Sequence, residues 1–106
     1  MKTIRFHVGV LREMQAVDES LRLKIADQLA LLAAGESIGM PASRPMVSIA
    51  SGAHEIRIKD HTGQYRVFYF TKHKDAILVF HMFKKKTQAT PKREIEIARK
   101  RLEDMQ

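Results

Sequence analysis

The sequence predicts an α+β fold: an N-terminal helical hairpin packed on a small antiparallel sheet, followed by a C-terminal helix. Three observations predict it. Leu21, Ile25, Leu29 and Leu32 recur at helical spacing on one face. Three segments rich in β-branched and aromatic residues follow between residues 53 and 83, joined by short polar turns. A last apolar stripe, Ile95, Ala98, Leu102 and Met105, steps by three, four and three. A chain of 106 residues fits a single domain, 1–106, with one core.

Composition narrows the function classes. There is no cysteine, which excludes disulfides, thiolate chemistry and cysteine-bound zinc. No apolar run approaches the roughly 20 residues needed to span a bilayer, so no membrane role is expected. The segment Met1 to His7 lacks the apolar stretch of a secretory signal, and a cytoplasmic location is the expectation. The formal charge is +7 and the sequence pI about 10.0, a balance that favours a polyanionic partner over a small neutral one. The charge is clustered: from Lys84 to Arg101 there are eight Lys and Arg against two Glu. A merely soluble basic surface would spread it.

Each element has its own signal. Residues 2–6 suggest a short edge strand, and 8 to about 16 a short helix. Asp18 or Ser20 can cap the longer helix by accepting backbone N–H bonds, and Gly35 can stop it. Gly35 to Pro45, with Gly39 and Pro41, reads as a loop. Strands then run over Ala53–Lys59, Gln64–Thr71 and Ala76–Phe83, making a three-strand antiparallel meander. Thr90 can cap the last helix, with Pro91 at its first position.

Symmetric turns would fix the register. With Asp60 opposite Gly63, Ile58 meets Tyr65, Ile56 meets Val67 and Arg57 meets Arg66. With Lys72 opposite Asp75, Val67 meets Phe80, Tyr69 meets Leu78 and Arg66 meets His81. One face then carries Ile56, Ile58, Tyr65, Val67, Tyr69, Leu78, Phe80 and Met82 as a core. The other carries Phe68, Phe70, Ile77 and Val79, to be covered by the C-terminal helix, beside an open row of Arg57, Arg66 and His81. Like charges placed opposite one another destabilise a sheet by up to about 1 kcal/mol. Either a carboxylate such as Glu55 pairs with the two arginines, or they grip a phosphate. The run Lys84-Lys85-Lys86 at the end of the adjacent strand favours the anion site.

Such a site suits RNA cleavage, in which the substrate's own 2′-hydroxyl attacks the adjacent phosphate. The protein must hold that geometry, move protons and stabilise added negative charge. Arg57 and Arg66 suit charge stabilisation. Lys84 and Lys85 suit grip, and a lysine crowded by cations titrates lower. His81 has the ordinary range of a general acid or base. Lys59, Lys86, Lys92 and Arg93 are the candidate RNA contacts. No pair of histidines has metal-ligand spacing, and no nucleotide-cofactor motif is present, so neither metal nor cofactor is expected.

Several segments together resemble a known family: Gly52-Ala53-His54-Glu55-Ile56-Arg57-Ile58, Tyr65-Arg66-Val67-Phe68-Tyr69, His81-Met82-Phe83-Lys84-Lys85-Lys86-Thr87, and Thr90-Pro91 followed by Glu94-Ile95 and Ala98. They resemble the HigB-like branch of the RelE/ParE toxin superfamily, a set of phage-derived proteins. The resemblance covers residues from about 44 to 105; the N-terminal helices share only its pattern. It implies a RelE-like fold, ribosome-dependent mRNA cleavage, and neutralisation by a cognate antitoxin, often a helix-turn-helix protein. The functional basic residues it implies fall on Arg57, Arg66, Lys84 and Lys85. His54 departs from the pattern, since related sequences carry Tyr or Trp there. Some members of the superfamily poison DNA gyrase instead, and a non-catalytic nucleic-acid-binding protein is the alternative from another class.

Overall fold

The computed structural model describes residues 2–106. Along the chain run β1 (Thr3–Phe6), α1 (Val8–Gln15), α2 (Glu19–Ala33), β2 (Ser43–Pro45), β3 (Ala53–Asp60), β4 (Gly63–Phe70), β5 (Ala76–Lys85) and α3 (Lys92–Met105). The sheet has five strands in the order β1-β5-β4-β3-β2. This corrects the expected hairpin on a three-strand antiparallel sheet. β1 pairs parallel with β5, so the sheet is mixed, and β2 adds an edge beside β3.

The expected single core is also corrected: each face of the sheet is packed. On one face α1 lies against β5, and α2 against β1, β3 and β5. There Leu21, Ile25, Leu29 and Leu32 meet Ile56, Ile58, Tyr65, Val67, Tyr69, Ile77, Val79 and Met82. On the other face α3 lies against β5. There Ala98 and Leu102 meet Phe68, Phe70, Leu78 and Phe80. The C-terminal stripe therefore packs as its spacing predicts, and α1 and α2 pack on the opposite face of the sheet.

Strand β2 falls within the predicted loop. Three residues are too few to show a period of two, and Pro45 argues against a strand. The proline is tolerated because β2 is an edge, where a missing N–H costs no ladder bond. Ser43 is buried, and its hydroxyl lies 2.6 Å from the Tyr69 hydroxyl across the sheet. The helix starts also differ in detail. Asp18 occupies the N-cap of α2 without a side-chain cap bond, and Pro91 rather than Thr90 precedes α3.

The first hairpin has the predicted register: Asp60 opposite Gly63, Ile58 opposite Tyr65, Arg57 opposite Arg66 and Ile56 opposite Val67. Asp60 Oδ1 accepts bonds from the Thr62 N–H and hydroxyl at 2.8 and 2.6 Å. Gly63 has φ +144°, and a Cβ there would come 2.7 Å from the Lys84 side chain, so the turn requires glycine.

The second hairpin differs. Phe70 pairs with Leu78 and Tyr69 with Val79. After an irregularity, Phe68 pairs with His81, Val67 with Met82 and Arg66 with Phe83. Two causes act. The turn is not symmetric: the His73 ring accepts from the Asp75 and Ala76 N–H groups. β5 also carries one residue more than β4 at the irregularity, a β-bulge. Leu78 and Phe80 therefore face α3, and Ile77 and Val79 face the N-terminal helices, the reverse of the expectation. His81 leaves the arginine row.

Leu102 is 2% exposed beneath the α3-side core. Leu102→Ala is expected to lower unfolding free energy by about 2–5 kcal/mol in urea titration. A loss below about 0.5 kcal/mol, the level of a surface change, would show that α3 is not seated there.

Candidate functional site

Three cross-strand rows cross the α3 side of the sheet. They are Glu55–Phe68–His81, Arg57–Arg66–Phe83 and Lys59–Gln64–Lys85. The apolar part of this face lies under α3, and the basic part is left uncovered. Its cleft has a volume of ≈ 620 Å³ and is lined by Arg57, Gln64, Arg66, Lys85, Lys86, Thr87 and Gln88.

Glu55 organises the cations behind the cleft. It is fully buried. Arg44, opposite Glu55 on β2, donates from Nε to Oε2 at 2.9 Å. Arg66 Nε lies 3.2 Å from Oε1, and Arg57 Nε 3.9 Å from Oε2. These last two contacts lack hydrogen-bond geometry, and both Nε groups remain buried without a hydrogen-bond partner. The carboxylate explanation of the arginine pair thus holds in the structure. It does not neutralise the site, because one carboxylate faces three guanidinium groups. Burial holds the Arg66 guanidinium below its ordinary range, with Glu55 opposing; arginine still stays charged.

Lys85 is half-buried in the cleft. Burial holds its ammonium below the ordinary lysine value; Arg66 acts the same way and Glu55 opposes. The structure divides the lysine run. Lys85 and Lys86 line the cleft, whereas Lys84 stands opposite Tyr65 and lines a separate groove of ≈ 470 Å³ with Arg93, Val17, Met82 and Ile97. Lys59 is exposed on the same sheet face as Arg57. Lys92 is on the solvent side of α3, 4.0 Å from Glu96. The structure therefore gathers Arg57, Arg66, Lys85 and Lys86, with Lys59 nearby. It leaves Lys84, Lys92, Arg93 and His81 outside the cleft.

His81 is buried, and its ring packs against Phe68 and Phe83. Nε2 lies 2.6 Å from Glu94 Oε1, and Nδ1 lies 3.1 Å from Arg101 Nη1. Arginine can only donate, so Nδ1 accepts and Nε2–H donates to Glu94. Arg101 also donates to both Glu13 oxygens, at 2.9 and 3.2 Å. This chain of bonds ties α1, β5 and α3 together. Desolvation, the main cause, and Arg101 push the His81 value below 6.5, against the pull of Glu94 and Glu13.

Two residues escaped the sequence reading. Arg44 sits in a stretch without strand periodicity, and its place opposite Glu55 was not legible. Arg101 entered only as the end of the cationic cluster that starts at Lys84; its alignment with Ile97 and Glu94 on α3 was the available signal. Among the described residues, one set of potential metal ligands gathers: Asp18, Asp60 and His61, with ligand atoms within 4.8 Å. It lies at the β3–β4 turn, where His61 Nε2 is 3.3 Å from Asp18 Oδ2 and both side chains are exposed.

Residues 12–103 match the family model described as Phage derived protein Gp49-like (DUF891). Comparison with curated proteins gave no match.

The lowered His81 value gives a pH dependence with a definite sign. Above 6.5 the ring is neutral both folded and unfolded, and contributes no slope. Between 6.5 and the lower folded value the unfolded chain binds the extra proton, so stability falls as pH falls. His81→Phe is expected to flatten this part of the stability–pH curve, measured by denaturant titration at several pH values. An unchanged slope would exclude His81 as its source.

Proposed function

This chain belongs to the Gp49-like phage-derived protein family, and on that premise we propose that it is the toxin of a type II toxin–antitoxin system, a ribosome-dependent mRNA endonuclease. The family is associated with RelE-like toxins. The observation that carries the reading is the open basic cleft, in which Arg57, Arg66, Lys85 and Lys86 surround a space of ≈ 620 Å³. A cleft walled by one sign of charge concentrates a polyanion.

The chemistry divides among these groups. The RNA supplies the nucleophile, its own 2′-hydroxyl, so no protein nucleophile is needed. Arg57 and Arg66 stabilise the negative charge that builds on the scissile phosphate. Lys85 is the candidate for proton transfer, because its lowered value increases the share of neutral amine. Lys86 and Lys59 hold the flanking backbone. His81 has no proton-transfer role here, since both ring nitrogens are engaged and the ring is buried. Lys84 and Arg93 lie on the neighbouring groove, within reach of an antitoxin or of longer RNA.

The partners are the ribosome with its mRNA and a cognate antitoxin, a helix-turn-helix protein in the family pattern, whose acidic segment would neutralise the basic cleft. Among the described residues, no helix is long and apolar enough to cross a membrane. The proposed site of action, on translating ribosomes, is cytoplasmic.

The test is 5′-end mapping of cellular mRNA after brief induction of wild type, Arg57→Ala and Lys85→Ala. New cuts within translated frames are expected in wild type, reduced about 100-fold or more in each variant, with both variants folded by thermal melting. Undiminished cuts in both would reject the cleft. Growth arrest by wild type with intact mRNA and DNA-damage signalling would move the target to gyrase.

A further inference from the structure

We infer that Glu55 is a positioning residue of the cleft: its buried carboxylate, shared by Arg44, Arg57 and Arg66, fixes how the guanidinium groups face the cleft and sets the electrostatic balance at Lys85. The inference rests on reading the cleft as an anion site, but its test needs no RNA.

The geometry rules out the simpler roles. Glu55 is fully buried, and its two oxygens lie among guanidinium nitrogens at 2.9, 3.2 and 3.9 Å. It therefore cannot touch a substrate and is not a catalytic base. A purely stabilising role is a poor account as well. Desolvating an ion cluster costs much of what its attraction returns, and an apolar replacement often does as well or better. Arg57 directly opposite Arg66 adds repulsion. An arrangement that places three arginines round one carboxylate leaves an excess of positive charge beside the cleft that Arg57 and Arg66 line.

Arg44 completes the device from outside the cleft. It is not among the lining residues, yet it makes the one well-formed hydrogen bond to Glu55. By holding Oε2, it limits how strongly the carboxylate can draw on Arg57. The charged groups facing Lys85 are Arg66 on β4, Glu55, Arg57 and Lys59 on β3, Arg44 on β2, and Lys86 beside it; Gln64, directly opposite, is neutral. Glu55 alone among them is an anion. Removing Glu55 and removing Arg44 must therefore act on Lys85 with opposite signs.

The experiment titrates Lys85 directly. The full chain is labelled with ¹³C in its lysine side chains, and the Lys85 Cε resonance, assigned through Lys85→Arg, is followed against pH. Glu55→Gln is expected to move the Lys85 midpoint down, and Arg44→Gln to move it up. Midpoints unchanged in both variants, or shifted in one common direction, would overturn the assignment. Should Glu55→Gln fail to fold, Arg44→Gln decides alone: an upward shift supports the inference and no shift or a downward one overturns it. Opposite shifts together with undiminished mRNA cleavage in both Arg57→Ala and Lys85→Ala would reject the catalytic reading of the cleft and keep the role of Glu55.

Discussion

The bulge between β4 and β5 is the constraint on which the rest of the structure depends. Side chains alternate along a strand, so one extra residue exchanges the faces of everything beyond it. On the turn side of the bulge, Ile77 and Val79 face α1 and α2, and Leu78 and Phe80 face α3. Beyond it, His81, Phe83 and Lys85 take the α3 side, in rows with Phe68, Arg66 and Gln64. Unbroken alternation from Val79 would have sent Lys85 to the helical-pair side and Lys84 toward the arginines. The bulge thus does two things at once. It sends Met82 to the α1 and α2 side and Phe83 to the α3 side, and it places Lys85 in the basic cleft.

The cleft is open because α3 covers only part of its face. The buried side of α3, Ala98 and Leu102, meets the phenylalanines near the turn end of β4 and β5. Glu94, at the first turn of α3, reaches His81, and Arg101 joins that ring to Glu13 of α1. The apolar packing and the bonded chain together place α3, and the arginine pair is left beyond its edge. A buried imidazole that accepts from one neighbour and donates to the other fixes a direction as well as a contact, because neither bond survives a change of tautomer. What holds α3 in place is therefore also what keeps the cleft uncovered.

The sequence carried the parts of this architecture that have a local signal. The first hairpin was legible because Asp60-His61-Thr62-Gly63 is a short turn with a glycine where the backbone needs one, and the Arg57–Arg66 pair followed from it. The α2 and α3 stripes were legible from their spacing. What failed is non-local. The second turn hides its asymmetry in bonds from the His73 ring, and a bulge has no signature in a run as uniformly apolar as Ala76–Phe80. β2 exists because β3 offers an edge, not because Ser43-Arg44-Pro45 prefers to be extended. The parallel seat of β1 beside β5 depends on how α1 and α2 cross the sheet. The same limits applied to the candidate site: Arg57, Arg66 and Lys85 do line one cleft, Arg44 went unnoticed with its strand, and His81 leaves the arginine row with its register.

The division of the lysine run has a consequence for how the two basic surfaces relate. Lys84 and Lys85 are adjacent in the chain, yet strand alternation sends them to opposite sides of β5. Lys85 enters a space whose walls are polar and cationic, where Arg57 and Arg66 lack hydrogen-bond partners at Nε. Lys84 enters a groove floored by Val17, Met82 and Ile97, where Glu13 and Glu94 are already bonded to Arg101 and His81. The first is polar and cationic, whereas the second mixes apolar, basic and acidic groups. The two surfaces flank the same end of β5, Lys84 on the groove and Lys85 in the cleft.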